Sequence, residues 1–489
     1  MSGFCHPPNG LGGVSVIESK LFKKLVRRVQ FASLVATRPW EGGAMYRLIA
    51  KPGTVDPISL GGVADSPVID RLKASSLMST GNVLVPVKVA ENLYLKGDVE
   101  DALKFVRSTP GREAQLADGR MSLFAGDLDR AMSIFSAAMD RQATKADASR
   151  NLALCYYLKR DLDRAVRTVS IGAAISPRTG SLMTLFSRIV RDRDDIRTFL
   201  EEKVRVARNG FTMGTAAQFV RACGRAKAVE EGEQTARDAV VNHCQKAVTP
   251  LNGAEYHLET GLKKGAYSRR KGEIVLDHIA QATGSSGLRL FAMGGTLLGL
   301  IRDSRLLSWD KDMDFGCFSD EATLDDLWEI FSANPFFIPM GTAEDRLIKL
   351  QHFTGITVDI FVNFKGGDGS WHGGQFVRWR DKPFDLKTVS VGGREFFVPD
   401  DPETYLIGHY GENWRTPDPH FDVFWEAPNA FGPNKVHRYL NTIAKGLQFL
   451  SAGSLDKMNI RLERARRADA DDVVAGYEFV LDLHRKFAA

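Results

Sequence analysis

Two aspartates separated by a single residue carry the strongest chemical signal in this chain. Asp312 and Asp314 stand on either side of Met313, and Phe315 follows them. In an extended strand, residues two apart project from the same face, so the two carboxylates face one side while the apolar side chains face the other. Adjacent carboxylates repel each other unless a cation lies between them, and oxygen ligands suit Mg²⁺ or Mn²⁺. The pattern therefore predicts a metal site held by Asp312 and Asp314.

A third aspartate lies inside an apolar, β-branched run. Asp359 is at the centre of residues 356–362, which predict a strand. Burying an ionised carboxylate in such a strand is costly unless a cation compensates it. Metal-assisted phosphoryl transfer commonly draws on carboxylates from more than one strand. We therefore expect Asp359 to be a third metal ligand or a general base.

A glycine-rich turn precedes the three aspartates. Gly294, Gly295 and Thr296 follow residues 288–293, which predict a short strand. Glycines let backbone amides approach an anion closely, and the threonine adds a hydroxyl. We expect the turn to hold a phosphate. Such a glycine turn alone is usually only a turn, and two nearby aspartates alone are usually solvated, so their combination is what favours a catalytic site.

Five sequence blocks follow one another between residues of roughly 270 and 430. They are residues 294–299 (Gly-Gly-Thr-Leu-Leu-Gly), Arg302, residues 309–314 (Trp-Asp-Lys-Asp-Met-Asp), residues 358–361 (Val-Asp-Ile-Phe), and a segment with Tyr405-Leu406, Tyr410-Gly411-Glu412-Asn413-Trp414 and Pro417. In this order the blocks resemble the LicD/fukutin family. Members of that family resemble nucleotidyltransferases in fold and move a phospho-alcohol, such as phosphocholine or ribitol phosphate, from a CDP-activated donor to a sugar hydroxyl.

The resemblance implies an α+β fold and a role for each matching position. The fold is a nucleotidyltransferase-like mixed sheet with flanking helices. The strand aspartates would bind Mg²⁺ or Mn²⁺, the glycine turn would cradle phosphate, and Arg302 would neutralise charge on the diphosphate. One position departs from the pattern, because Lys311 stands where an acidic residue is expected. The implied partners are a CDP-linked alcohol donor and a carbohydrate acceptor in a cell-surface or capsular glycan.

Several residues near these blocks keep two interpretations. Arg302 either meets phosphate or forms a salt bridge with Asp303 or Asp310. Asp310 either orients the loop or supports the metal site. Lys349 and His352, upstream of Asp359, are further substrate-binding candidates, although a structural role suits His352 better.

Two later segments are also open to more than one interpretation. The glycine-rich stretch 366–374 is either a flexible acceptor loop or a plain hairpin connection. Residues 403–410 predict a short helix. Tyr410 on it and Trp414 beyond it either pack in the core, which is the preferred interpretation, or contact substrate.

The composition sets limits on the whole chain. It has 489 residues and 44% hydrophobic content, enough for two or three domains. A net charge of +5 on 65 basic and 60 acidic residues gives no case for nucleic-acid binding. Five scattered cysteines predict a reducing compartment without a disulfide framework.

The sequence predicts a cytoplasmic protein. No apolar run approaches the roughly 20 residues of a membrane helix, and the N-terminus lacks a signal pattern. Residues 20–28 form a basic amphipathic segment that could touch the inner membrane face, although an ordinary surface helix is the preferred interpretation.

A repeated sequence motif occurs in the region before the catalytic blocks. Its three copies are residues 96–103, 125–132 and 159–166, each with an aspartate-containing turn before an alanine. The second interval equals the roughly 34 residues of a tetratricopeptide repeat, whereas the first is shorter. The repeated motif predicts helical hairpins, and further helices are expected at 196–206 and 228–247. These helices would support the catalytic domain or bind a protein partner.

The resulting division of the chain has four parts. They are an irregular N-terminal region 1–84, a tetratricopeptide-like domain 85–248, a catalytic domain 253–440 and a C-terminal helical tail 441–489.

Two alternatives to phospho-alcohol transfer stay open. In the first, the chain is a helical-repeat scaffold whose nucleotidyltransferase-like domain is inactive and binds only nucleotide or sugar. The intact set of three aspartates argues against it. In the second, the chain transfers a nucleotidyl group to another acceptor and releases pyrophosphate.

Overall fold

The computed structural model describes residues 84–141, 144–176, 179–206, 211–248, 269–284, 286–307, 310, 312–341, 346–374 and 376–488. Nearly all of the predicted irregular region 1–84, including the amphipathic segment 20–28, lies outside these residues. Trp309, Lys311 and the predicted domain junction near 249–253 also lie outside them. The chain divides into two compact units, residues 1–118 and 119–489.

The described part of the first unit is helical. It comprises helix α1 (Leu84–Leu95), helix α2 (Val99–Ser108) and the start of helix α3 (Arg112–Phe124). Gly97, with φ +96°, allows the tight reversal between α1 and α2.

The second unit begins with further helical hairpins, whose turns contain the repeated motif. The turns at 125–127 and 159–161 join helices as predicted, with Gly126 at φ +82° and Arg160 at φ +61°. Asp127 and Asp161 cap the helices that follow, because their carboxylates accept hydrogen bonds from Arg130 N and Arg164 N. The helices are α4 (Leu128–Met139), α5 (Lys145–Leu158), α6 (Leu162–Ile175), α7 (Gly180–Ile189), α8 (Arg193–Val206), α9 (Met213–Ala226) and α10 (Val229–Val248).

The helices on either side of the turns at 125–127 and 159–161 form the predicted hairpins. The more specific assignment to the tetratricopeptide type stays a prediction, as do the four domain ranges. Within the second unit, the helices and the sheet belong to one compact body. Tyr157 on α5, for example, hydrogen-bonds through its hydroxyl to both the amide and the carbonyl of Gly341, each at 3.0 Å.

A mixed sheet forms the rest of the second unit, as the predicted α+β class requires. Its order is β10-β7-β6-β5-β2-β1-β9-β8, and β4 pairs with both β5 and β3. The pairs β2–β5 and β1–β9 are parallel, and the remaining pairs are antiparallel. The strands are β1 (Phe291–Ala292), β2 (Asp312–Phe318), β3 (Phe337–Met340), β4 (Leu347–His352), β5 (Thr357–Gly366), β6 (Gly369–Gly373), β7 (Arg378–Asp381), β8 (Leu386–Val391), β9 (Arg394–Pro399) and β10 (Ala430–Phe431).

Helices flank this sheet and continue to the C-terminus. Helix α15 (Lys435–Ser451) packs on α9, where Arg221 donates hydrogen bonds to Asn441 at 3.2 Å and Gln448 at 3.0 Å. The helices are α11 (Arg269–Thr283), α12 (Gly294–Arg302), α13 (Leu324–Ser332), α14 (Pro402–Tyr410), α15 (Lys435–Ser451), α16 (Leu455–Arg467) and α17 (Asp471–Ala488).

A buried apolar cluster holds α12 and α14 against the sheet. Phe291 on β1, Leu297 on α12, and Leu406 on α14 are each fully enclosed in it, and Trp414 is nearly so. Burying such side chains removes apolar area from water and holds the ends of β1 and β2 in place. Among the described residues, no helix is both long enough and apolar enough to span a bilayer.

Candidate active site

The three predicted strand aspartates meet on two neighbouring parallel strands. Asp314 on β2 lies directly opposite Asp359 on β5, and Asp312 lies opposite Thr357. Residues that stand opposite each other in a sheet share a face, as do residues two apart on one strand. The three carboxylates therefore share one face of the sheet.

The glycine sequence is not the isolated turn that we predicted from sequence. Gly294, Gly295 and Thr296 form the first turn of helix α12, and the predicted strand over 288–293 shortens to Phe291–Ala292. Gly294, the first residue of this helix, adopts φ +49°, a left-handed conformation that a glycine reaches without strain.

This helix terminus holds Asp314 by two hydrogen bonds. Gly295 N donates to Asp314 Oδ2 at 3.2 Å, and Asp314 N donates to Thr296 Oγ1 at 2.9 Å. A Cβ atom at Gly294 would lie 2.6 Å from Asp314 Oδ2, so the carboxylate packs closely against the glycine backbone. The sequence predicted these groups as a phosphate cradle, whereas the structure uses two of them to fix a carboxylate.

Electrostatic repulsion is concentrated on Asp314. Burial raises its pKa well above the ordinary value, and the charges of Asp312, Asp359 and Asp310 raise it further, while the Gly295 amide opposes them. Asp310 comes from the loop before β2 and lies against Gly295. The site therefore gathers four carboxylates, and a divalent cation among them would relieve the repulsion.

Lys349 supplies a charge that the sequence argument for Asp359 did not include. It lies opposite Asp359 in the β4–β5 pair, and the two side chains form an ion pair. Asp359 is only 6% exposed, so this partner reduces the cost of burying the carboxylate. Lys349 was predicted to contact the substrate. In the structure it lies beside the carboxylates and supplies a positive charge to Asp359.

An arginine from the helical hairpins also faces the carboxylates, and sequence analysis missed it. Burial lowers the pKa of Arg188 on α7, whereas the charges of Asp359 and Asp312 raise it. Residues 96–248 contain no chemical motif that would single out this arginine. The sequence offered only a weak signal for Arg188. It lies on the first helix of a helical hairpin, as Arg150 does on α5.

Arg302 forms one of the salt bridges that the sequence left open. Its Nε lies 2.8 Å from Asp303 Oδ1, and its side chain is 10% exposed. Tyr410 on α14 packs against the buried apolar cluster, as predicted. Burial raises its pKa, the charges of Asp314 and Asp310 raise it further, and Arg302 opposes them.

His352 is not brought to the carboxylates. It lies at the end of β4, three residues after Lys349, and therefore points to the opposite face. Its ring hydrogen-bonds to His278 Nδ1 at 2.9 Å and to Thr354 Oγ1 at 2.8 Å. Burial holds its pKa well below the usual value, so it is a neutral core histidine.

The glycine-rich stretch 366–374 is a hairpin connection followed by strand β6, the second of its two interpretations. Gly366 pairs with Gly369, and β6 then pairs with β7. The predicted helix over 403–410 is α14, which begins after the capping residue Asp401.

Comparison with known proteins agrees with this architecture. Residues 287–401 match the family described as LicD/FKTN/FKRP, nucleotidyltransferase domain. The chain is similar to the ribitol-5-phosphate transferase FKTN of Homo sapiens, with 23% identity over 190 residues, covering 37% of this chain and 41% of that protein. It is 26% identical over 176 residues to the Mus musculus protein of the same name, covering 34% of this chain and 38% of that protein.

The chain thus spans about two fifths of the length of the curated relatives that it matches. The matched segment contains β1, the start of α12, β2 and β5, and hence all three strand aspartates. Residues 287–401 of this chain are a nucleotidyltransferase domain of the LicD/fukutin family.

Proposed function

We propose that the chain transfers a phospho-alcohol from a CDP-activated donor to a sugar hydroxyl of a glycan in a metal-dependent reaction. The observation that carries this proposal is the meeting of Asp312, Asp314 and Asp359 on adjacent parallel strands, beside the N-terminus of α12. The family match supports the reaction class, and the similarity to ribitol-5-phosphate transferases makes ribitol phosphate the first alcohol to test.

Asp312, Asp314 and Asp359 would hold Mg²⁺ or Mn²⁺. The donor set fits such ions, because all the side-chain ligands are carboxylate oxygens. Burial and the neighbouring carboxylates raise the pKa of Asp314, and a cation would offset both effects. When bound, the ion would supply charge stabilisation to a diphosphate and its leaving group.

The residues of the chain would orient the donor and accept a proton. Arg188 and Arg302 would place positive charge near the departing CMP. Asp359 would accept the proton of the attacking sugar hydroxyl when it is not a metal ligand, and its ion pair with Lys349 would hold its carboxylate in position for that purpose. Tight packing of Asp314 against Gly294 and Gly295 would keep this carboxylate in one position.

The test is the release of CMP by the full chain from CDP-ribitol, CDP-choline, CDP-glycerol and CDP-ethanolamine. Each donor is incubated with Mg²⁺ and a carbohydrate extract, and Asp312→Asn is the matched variant. Acceptor-dependent CMP from one donor, absent in the variant, is the expected result. Nucleotide binding without release would instead support the inactive scaffold, and pyrophosphate from a nucleoside triphosphate would support nucleotidyl transfer.

The cellular location of the protein and its protein partner also belong to the proposal. We expect the protein in the cytoplasm, with the helical hairpins available to a protein partner. Fractionation of cells that express the tagged full chain checks the location, and the donor panel is independent of it.

A further inference from the structure

A second cluster of polar side chains lies outside the carboxylate site. His372, Asp381 and His409 each offer one atom, and these atoms lie within 4.8 Å of one another. His372 Nδ1 is 3.1 Å from Asp381 Oδ2, and His409 Nε2 is 2.9 Å from Asp381 Oδ1. All three residues are buried, with exposures of 3%, 5% and 4%.

Three different elements bring these side chains together. His372 is on β6, Asp381 ends β7, and His409 is on α14. Asp381 lies opposite Ser370 in the β6–β7 pair, so His372 is its diagonal neighbour on the same face. Helix α14 then adds His409, whose ring lies 5.4 Å from that of His372.

The hydrogen bonding of this cluster is incomplete. His372 Nδ1 and Asp381 Oδ2 lie 3.1 Å apart, but within the described part of the chain neither atom makes a well-aligned hydrogen bond. A buried polar atom without a well-aligned partner costs free energy, and several such atoms close together suit a bound ion. Further buried atoms in the same state are Ser370 Oγ, Tyr405 OH and Asn429 Oδ1.

The ligand types of the cluster suit a cation, because imidazole nitrogens and carboxylate oxygens are common metal ligands. Asn429 Nδ2 donates to Asp381 Oδ1 at 3.0 Å and orients it, as outer residues do around metal ligands.

We propose that His372, Asp381 and His409 form a binding site for one transition-metal ion of the zinc class. Two imidazole nitrogens and one carboxylate oxygen favour Zn²⁺ over Mg²⁺, which prefers oxygen ligands. The site is separate from the catalytic carboxylates. The ion links the β6–β7 hairpin to α14 and thereby supports the face on which the carboxylates lie.

Tyr405 connects the two sites. Its ring stacks on His409 at 4.5 Å, and its pKa is raised by burial and by the charges of Asp381 and Asp314. Loss of the ion is therefore expected to loosen α14 near the carboxylates and to lower the melting temperature.

The experiment is elemental analysis of the full chain, expressed in zinc-supplemented medium and dialysed against a weak chelator. The expected result is about one equivalent of zinc per chain, lost in His409→Gln and in Asp381→Asn. The matched control is His278→Gln, which alters another buried histidine pair and should keep the metal. Asp312→Asn should also keep it, which separates this ion from the catalytic one and from the fate of the proposed reaction.

Wild-type protein without bound zinc would overturn the proposal, and so would Asp381→Asn with undiminished zinc. If the variants do not fold, the wild-type protein is loaded with Co²⁺ in place of zinc, and its visible spectrum tests the site. Intense visible absorption of four- or five-coordinate cobalt supports the site, and the weak spectrum of octahedral cobalt contradicts it.

Discussion

Asp314 and Asp359 stand directly opposite each other on the parallel strands β2 and β5, and each is held by a different partner. Asp314 Oδ2 accepts a hydrogen bond from Gly295 N at 3.2 Å, whereas Asp359 forms an ion pair with Lys349. The two carboxylates are thus fixed in place although their charges repel each other. This arrangement makes them suitable ligands for a cation.

Replacing Asp314 by Asn should abolish turnover without unfolding the protein. The change removes a carboxylate oxygen from the metal site, and we expect turnover to fall by a factor on the order of 10² to 10³ or more. The melting temperature of the metal-free protein should stay the same or rise, because repulsion from Asp312 and Asp359 disappears.

CMP release and thermal melting measure the two effects. Asp320→Asn is the control, since Asp320 is an exposed aspartate of the same domain that pairs with Lys365. Retained turnover in Asp314→Asn would falsify the assignment of this residue.

Replacing Arg188 by Ala should weaken donor binding. A charged hydrogen bond contributes about 1.5–3 kcal/mol, so the KM for the CDP-linked donor should rise by roughly 10- to 100-fold. Arg188→Lys should retain part of the affinity, because the charge remains while the forked geometry is lost.

Steady-state kinetics with the active donor provide the measurement. Arg167→Ala on α6 is the control, because Arg167 is exposed and pairs with Glu202. An unchanged KM together with a lower melting temperature would mean that Arg188 only balances the buried aspartates.

Replacing Gly294 by Ala should damage the site locally. The positive φ of Gly294 would cost about 1–2 kcal/mol for a side chain, and its Cβ would lie 2.6 Å from Asp314 Oδ2. We expect a large loss of turnover with a modest loss of stability.

Denaturant unfolding and CMP release separate these two effects. Gly214→Ala on α9 is the matched control, because its added Cβ meets open space and Ala favours a helix over Gly. Full activity of Gly294→Ala would show that the position of Asp314 tolerates displacement.

His437 should make the protein sensitive to mild acid. Burial lowers its pKa from 6.5 to about 3, where it stacks on Phe376 at 3.5 Å. The unfolded chain therefore takes up a proton below pH 6.5 that the folded chain refuses, so stability is lost as pH falls from 6.5 towards 3. The slope for this one group is about 1.4 kcal/mol per pH unit.

Denaturant unfolding at a series of pH values checks this expectation. His437→Gln should unfold with a flatter dependence on pH, whereas His484→Gln on α17 should keep the dependence of the wild type. Equal slopes in wild type and His437→Gln would rule out His437 as the cause.

Features that depend on near neighbours in sequence were predictable. The two-residue spacing of Asp312 and Asp314 determines that they share a face in any strand. The glycine and aspartate of the turn at 125–127 similarly favour a reversal and a helix cap, so the hairpin could be predicted. The glycines at 294–295 were recognised as important, but local pattern did not reveal that they begin a helix.

Features that depend on pairing between distant segments were not predictable from these patterns. Lys349 meets Asp359 because of the β4–β5 register, and a shift of one residue would turn it to the other face. The same alternation removes His352 from the site, although it is only seven residues from Asp359 in sequence.

The sequence by itself determined the class of chemistry, because residue types and local spacing decide which ligands a strand can present. The tertiary structure decided which residues lie around the strand carboxylates and which form the second cluster. Helix packing brings Arg188 close enough for the charges of Asp359 and Asp312 to act on it, and His372, Asp381 and His409 converge through two strands and a helix. Such contacts follow from the combined burial of apolar surface over the whole unit, which no local pattern specifies.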